Sequence, residues 1–227
     1  MNKRKTPKKQ IKPPEIPKQE LEKGLPDTSL VDRAYYAQLS LSHDDFTGQV
    51  AERMSFDQIL FQQIILNRTH FKKVQVLDCR FTVCDLANAE WAEASLSRVE
   101  LIGCHLTGLQ CVDAQFQDVL FKECGGSFSQ FAFATFKTAQ FEDCDLLEAN
   151  FMEADLSGVK FINCDLRNAD FTGAKLVGVD LRGSQIGGIR AGPRELKGAI
   201  IDPQQALAFV RGMGISVISL DETQQES

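Results

Sequence analysis

Seven cysteines and three histidines are the residues of this 227-residue chain best suited to covalent or metal chemistry. Five of the cysteines, Cys84, Cys104, Cys124, Cys144 and Cys164, recur every twenty residues. Such a column invites two readings, a metal site and a set of disulfides. Zinc needs four ligands converging on a tetrahedron, whereas a fixed period sets out one thiol at a time along a line. A disulfide needs Cβ atoms about 3.5–4.5 Å apart, and stacked strands hold equivalent side chains about 4.8 Å apart. The thiols therefore read as small apolar fillers. His43, His70 and His105 form no close motif with Cys, Asp or Glu and read as surface residues. No glycine-rich phosphate loop, nucleophile elbow or zinc-protease motif is present. The chain reads as non-enzymatic, with neither metal nor cofactor.

The remaining candidates are acids. Glu142, Asp143, Asp145, Glu148, Glu153 and Asp155 follow one another without an intervening base, and Asp165 joins them beyond Lys160. Two readings stay open. Aspartate and glutamate are residues that turns tolerate, or together they form an anionic surface that imitates duplex DNA.

A repeat must position all of these. Every fifth residue from Phe56 to Ile186 is large and apolar, except Cys111 and Gly126. Twelve of the sixteen phenylalanines lie in this series, so the repeat itself selects phenylalanine. Two residues before each slot stands an apolar residue, often Ala, or Cys, with Thr69, Ser129 and Ser184 the polar exceptions. Asp or Asn often stands between them, as at Asp85, Asp145, Asn150 and Asp165. A period of five matches neither helix nor strand; it needs a chain that turns at every unit, with a small and a large residue inward. The cysteine period groups four units into one coil. Stacking coils about 4.8 Å apart gives seven to eight coils and a rod of roughly 35 Å. The expected core ladder includes Phe131, Phe151, Phe171, Leu146 and Leu166 beside the five cysteines.

The segment CDLLEANFMEADLSGVKFINCDLRNADFTGAKLVGVDL (144–181) resembles the pentapeptide-repeat family. The resemblance implies an all-β, right-handed quadrilateral β-helix with four pentapeptides per coil. The ending LKGAIIDPQQALAFVRGMGISVI (196–218) is similar to that of the Qnr-type branch, the quinolone-resistance proteins. That implies an end-to-end C-terminal homodimer and a DNA-like rod that binds DNA gyrase or topoisomerase IV. The unbroken register from 56 to 186 departs from the bulging loops of many Qnr-type proteins.

Five segments are expected: a disordered basic Pro/Lys-rich tail (1–26), an N-terminal cap with weak repeats (27–55), the β-helix (56–201), a capping and dimerisation segment (202–220) and a disordered tail (221–227). Asp44 and Gln49 occupy small slots and predict a departure from coil geometry in the second segment. Gly125-Gly126 predicts a weak point or kink, with Phe128 and Phe133 covering it from outside. Asp202, Pro203 and Gln205 fit the start of a helix. Leu207, Phe209 and Val210 leave that helix little polar face, so it is expected to be buried. Ile215, Val217 and Ile218 read as a short strand, and these segments form the expected cap or dimer contact.

Charge divides along the chain. Residues 1–25 carry eight Lys/Arg and three acids, residues 26–227 seventeen and twenty-eight. The acidic rod should repel nucleic acid and attract basic surfaces. The basic tail could bind phosphates or lie back on the rod and mask it. No apolar run reaches membrane-span length and no secretory signal is evident, which points to a cytoplasmic protein. A general interaction scaffold is the alternative to DNA mimicry.

Overall fold

The computed structural model describes residues 10–25 and 29–218; the expected tail 221–227 lies outside the described residues. The chain winds as a four-sided β-helix whose partners in adjacent coils are twenty residues apart, from Asp45 through Ile65 and Asp85 to Gln185 on one side. Four faces follow from the slots. Face 1 is centred on Phe61, Phe81 and Leu101, face 2 on Leu66, Leu86 and Leu106, face 3 on Phe71, Trp91 and Cys111, and face 4 on Phe56, Val76 and Leu96.

Face 1 holds the main parallel sheet: β1 (Glu22–Lys23), β2 (Leu39–Ser42), β3 (Leu60–Gln62), β4 (Gln75–Thr82), β5 (Ser95–Ile102), β6 (Gln115–Lys122), β7 (Thr135–Glu142) and β8 (Val159–Ile162). Strands β4 to β7 begin on face 4 and turn the corner without interruption. Faces 2 and 3 are held mainly by isolated bridges and short strands.

The core explains the phenylalanines. Parallel stacking places like rings over like. Phe61 lies 4.3 Å from Phe81, Phe116 4.4 Å from Phe136, and Phe121 4.5 Å from Phe141, all stacked with nearly parallel planes. Neighbouring faces meet edge-on, as Phe56 and Phe61 do at 85°. Both geometries suit the ring quadrupole. A tyrosine here would bury a hydroxyl that needs a partner.

The three polar exceptions are each hydrogen-bonded. Thr69 donates to the Leu66 carbonyl at 2.7 Å and accepts from Trp91 Nε1 at 3.2 Å. Ser129 donates to the Gly126 carbonyl, and Ser184 accepts from the Cys164 amide.

Several expectations are corrected. Coil geometry reaches back past residue 56, since Tyr36 pairs with Phe56 and Leu41 with Phe61. Gln49 is accommodated because its Oε1 accepts from the Leu30 amide. At Gly126 the ladder runs on unbroken, with bonds to Asp145 and Ser129. Leu146 leans into the space, 3.2 Å from where a Cβ would stand. Phe128 and Phe133 do not cover that point; they stand at corners, 48% and 50% exposed. Residues 10–25 are ordered rather than free, and Glu15 is bound to the rod through Asp78 and Gln58.

At the other end, α1 (Pro203–Gly212) starts with the Asp202–Gln205 capping box and Pro203 in its first turn. Its one buried residue is Gln205, whose amide donates to the carbonyls of Leu181 and Ser184, each at 2.7 Å. The helix is thus pinned by a polar group that satisfies the last coil, and its apolar side is not buried as expected. No strand forms over 215–218. No described helix is long and apolar enough to cross a membrane.

Candidate interaction surface

The Asp/Asn preference of the repeat has a local cause. The carboxylate or amide oxygen just before each central slot accepts from the backbone amide two residues on: Asp85 from Ala87, Asp145 from Leu147, Asn150 from Met152, Asp165 from Arg167 and Asp170 from Thr172, at 2.9–3.1 Å. These closures build the corner. Asp145, Asp155 and Asp165 of the expected acidic surface therefore also serve the fold.

The acids at 142–155 form a belt around one coil. Glu142 lies on face 1, Asp143 at its edge with face 2, Asp145 on face 2, Glu148 and Glu153 at the two edges of face 3, and Asp155 on face 4. Neighbours partly neutralise them. Lys122 is 2.8 Å from Glu142, and Lys175 is 3.2 Å from Asp155. Burial works to raise the Asp155 pKa, but the Ser157 hydroxyl and amide and the Lys175 ammonium hold it below the usual carboxylate range. At Asp165 the Arg167 guanidinium is the main cause of a lowered value.

The structure does bring together Asp145 and Asp165, which are bridge partners on face 2. Asp45 and Asp85 lie in the same column, two positions outside the expected acidic surface. The twenty-residue period that aligned the cysteines would have found them. Around that column face 2 carries Asp44, Asp45, Asp85, Asp145, Glu148 and Asp165 against Arg68 and Arg167. His105 belongs to it too, with Nδ1 3.2 Å from Asp85.

Beneath the column the thiols are occupied. Cys84, Cys104, Cys124, Cys144 and Cys164 each direct Sγ at a carbonyl of the preceding coil, 3.4–3.5 Å away. Burial pushes the separate thiols Cys79 and Cys111 up to about 12. All seven are free and buried. Among the described residues no group of three or more His, Cys, Asp or Glu is placed to hold a metal ion.

A second surface is apolar. The Phe128 amide bonds to the Leu147 carbonyl and the Phe133 amide to that of Met152, so these four side chains flank face 3 in two adjacent coils. At the C-terminal end Leu207, Ile215 and Val217 are exposed, while Phe209 and Val210 are half-buried. Phe209 lines a cleft between the helix and the last coil with Ile186 and Ile189.

Two family models match, Pentapeptide repeat region over residues 74–151 and Pentapeptide repeats (8 copies) over residues 149–185. A comparison with curated proteins finds no match. Among solved structures, HetL of the cyanobacterium Nostoc sp., a protein involved in heterocyst differentiation regulation, is 20% identical, with 75% of this chain and 90% of that one covered and a TM-score of 0.36. A trypsin-treated form of QnrB1, a plasmid-mediated fluoroquinolone resistance protein, is 22% identical, with 87% and 97% covered and a TM-score of 0.36. Full-length QnrB1 is 19% identical, with 82% and 100% covered and a TM-score of 0.33. With its five-residue slots, its twenty-residue coil and both matched segments lying within one continuous solenoid, the chain belongs to the pentapeptide-repeat family.

Proposed function

We propose that this chain is a non-enzymatic interaction rod whose acidic face 2 docks in the basic DNA-binding groove of a partner, specifically that of a type II topoisomerase such as DNA gyrase. The acid column on face 2 carries this reading: six acids against two cations, arranged along the rod axis. The topoisomerase is the partner that the Qnr-like ending at 196–218 implies. An exposed apolar C-terminus made of Leu207, Ile215, Val217 and Ile218 supports end-to-end pairing into a longer rod.

The test is a gyrase supercoiling and cleavage assay with purified protein, with and without a fluoroquinolone. The expected result is reduced drug-induced cleavage or inhibited supercoiling, fading as salt rises. No effect at micromolar protein would remove the topoisomerase from the account. The exposed Phe128 and Phe133 favour a second reading, a scaffold that binds an uncharged protein surface. Serine at both positions would abolish binding to such a partner and leave a charge-driven one unaffected.

A further inference from the structure

Residues 10–20 leave the coil path and run along the rod at the edge between faces 4 and 1. Glu15 lies beside Gln58 and Asp78, and Gln10, Ile11 and Pro13 line a groove with Glu100, Leu120, Gln140 and Lys160 of later coils. The peptide groups of Glu15 are held on both sides. Its amide donates to Asp78 Oδ1 at 2.8 Å, and its carbonyl accepts from Gln58 Nε2 at 3.1 Å.

This edge differs from the other three. In the same coil Val83, Asn88 and Glu93 are exposed at their corners, whereas Asp78 is only 3% exposed. Asp118 and Thr138, next along the edge, are buried as well. Arg98 binds Asp78 through two nitrogens, at 2.6 and 2.5 Å. Burial alone would raise the Asp78 pKa; Arg98 and the Glu15 amide overcome it and hold the carboxylate ionised. The groove thus offers a fixed acceptor, the Gln58 donor and the apolar shoulder of Leu120.

The occupant suits it. Pro13, Pro14 and Pro17 lack donors and pre-set an extended backbone, so the segment neither pairs as a strand nor coils. Ile11, Pro14 and Ile16 are half-buried, while Lys12 and Lys18 face water. This composition cannot form a core of its own; the groove provides the missing contacts.

We propose that this edge is a docking groove for extended, proline-containing peptide segments, that residues 10–16 occupy it in cis, and that a partner protein engages the rod by displacing them with a segment of the same chemistry. Tethering gives the internal occupant a millimolar-range effective concentration, so modest contacts keep the groove closed to weak competitors.

The test uses the full chain and a fluorescein-labelled synthetic peptide with the sequence of residues 10–20, followed by fluorescence anisotropy. One protein is unaltered; the other carries Ile11→Ser and Glu15→Pro, which loosen the occupant and leave every groove residue in place. Circular dichroism melting checks that the solenoid is intact in both. The peptide should bind the altered chain at least about tenfold more tightly than the unaltered one, because its tethered competitor has been weakened. A peptide carrying the same two substitutions should lose that binding. Equal binding to both chains, no saturable binding to the altered chain, or equal binding by a scrambled peptide would each overturn the proposal.

Discussion

Phe151 has no solvent exposure and lies between Phe131 and Phe171, with ring centroids 5.3 and 5.2 Å away. Truncation to alanine in such a site costs about 3–5 kcal/mol, so Phe151→Ala should lower the thermal midpoint by many degrees. Phe151→Asp should abolish folding, since an unpaired charge would enter the stack; an unchanged melt would refute the slot assignment. Val83 makes the opposite prediction. It is a β-branched residue at φ 54°, 57% exposed, where Asn88 and Gly103 occupy equivalent corners. Val83→Asn should raise stability by about 1 kcal/mol, because asparagine tolerates the left-handed region, and a denaturant titration checks it. The inward slots were legible because a period of five leaves them no alternative. The polar exceptions were visible as exceptions, but Thr69 needs Trp91 beside it, and that contact crosses twenty-two residues.

At the scale of elements, the corners make the coil acid-sensitive. Asp78, Asp155, Asp165, Asp170 and Asp202 all have lowered folded pKa values, from hydrogen bonds to amides, hydroxyls and guanidinium or ammonium groups that outweigh burial where it opposes them. A lowered folded value stabilises above the unfolded carboxylate pKa, about 3.9, and the contribution is lost as pH falls through the folded values. Thermal melts from pH 7 to pH 2 should therefore show the midpoint falling below about pH 4. The fall should be smaller when Arg98→Met and Arg167→Met remove two causes of the lowering, and an equal fall would deny the corner pairs this role. Helix α1 gives a separate prediction. Gln205→Ala leaves the Ser184 carbonyl without its donor, at about 1–3 kcal/mol for a buried group, while the Leu181 carbonyl keeps the Ser184 amide, and hydrogen exchange should quicken in the last coil first. Leu207→Glu with Ile215→Glu, on exposed positions, should leave the melt unchanged and convert a dimer to a monomer by light scattering. The start of α1 was readable from Asp202, Pro203 and Gln205. Its burial was not, because the apolar residues suggested a hydrophobic plug where a glutamine side chain does the pinning. The ordered residues 10–20 were illegible for a related reason: their partners lie up to 150 residues away on the rod's outer edge.

For the whole molecule, magnitude sets how DNA-like the rod is. Residues 44–202 hold 23 acids and 15 Lys/Arg, a net charge of −8 over the eight levels from Asp45 to Gln185. That is about one charge per coil of roughly 4.8 Å, whereas duplex DNA carries one per roughly 1.7 Å. The rod has about a third of the duplex's linear charge, so it should compete reversibly and with a shallower salt dependence than DNA itself. The acid run at 142–155 already reads in sequence as spread over more than one face, but which acids share a face is set by the coil. In a four-sided coil, residues five apart lie on different faces, and only those twenty apart share one. The most direct measurement is displacement of a labelled DNA duplex from gyrase by the chain, across a salt series, compared with a chain carrying Asp85→Asn, Asp145→Asn, Glu148→Gln and Asp165→Asn. Displacement by the unaltered chain should weaken with salt and be lost in the neutralised chain while its melt shows a folded solenoid. Displacement that is equal in both chains, or absent from both at low salt, would contradict it.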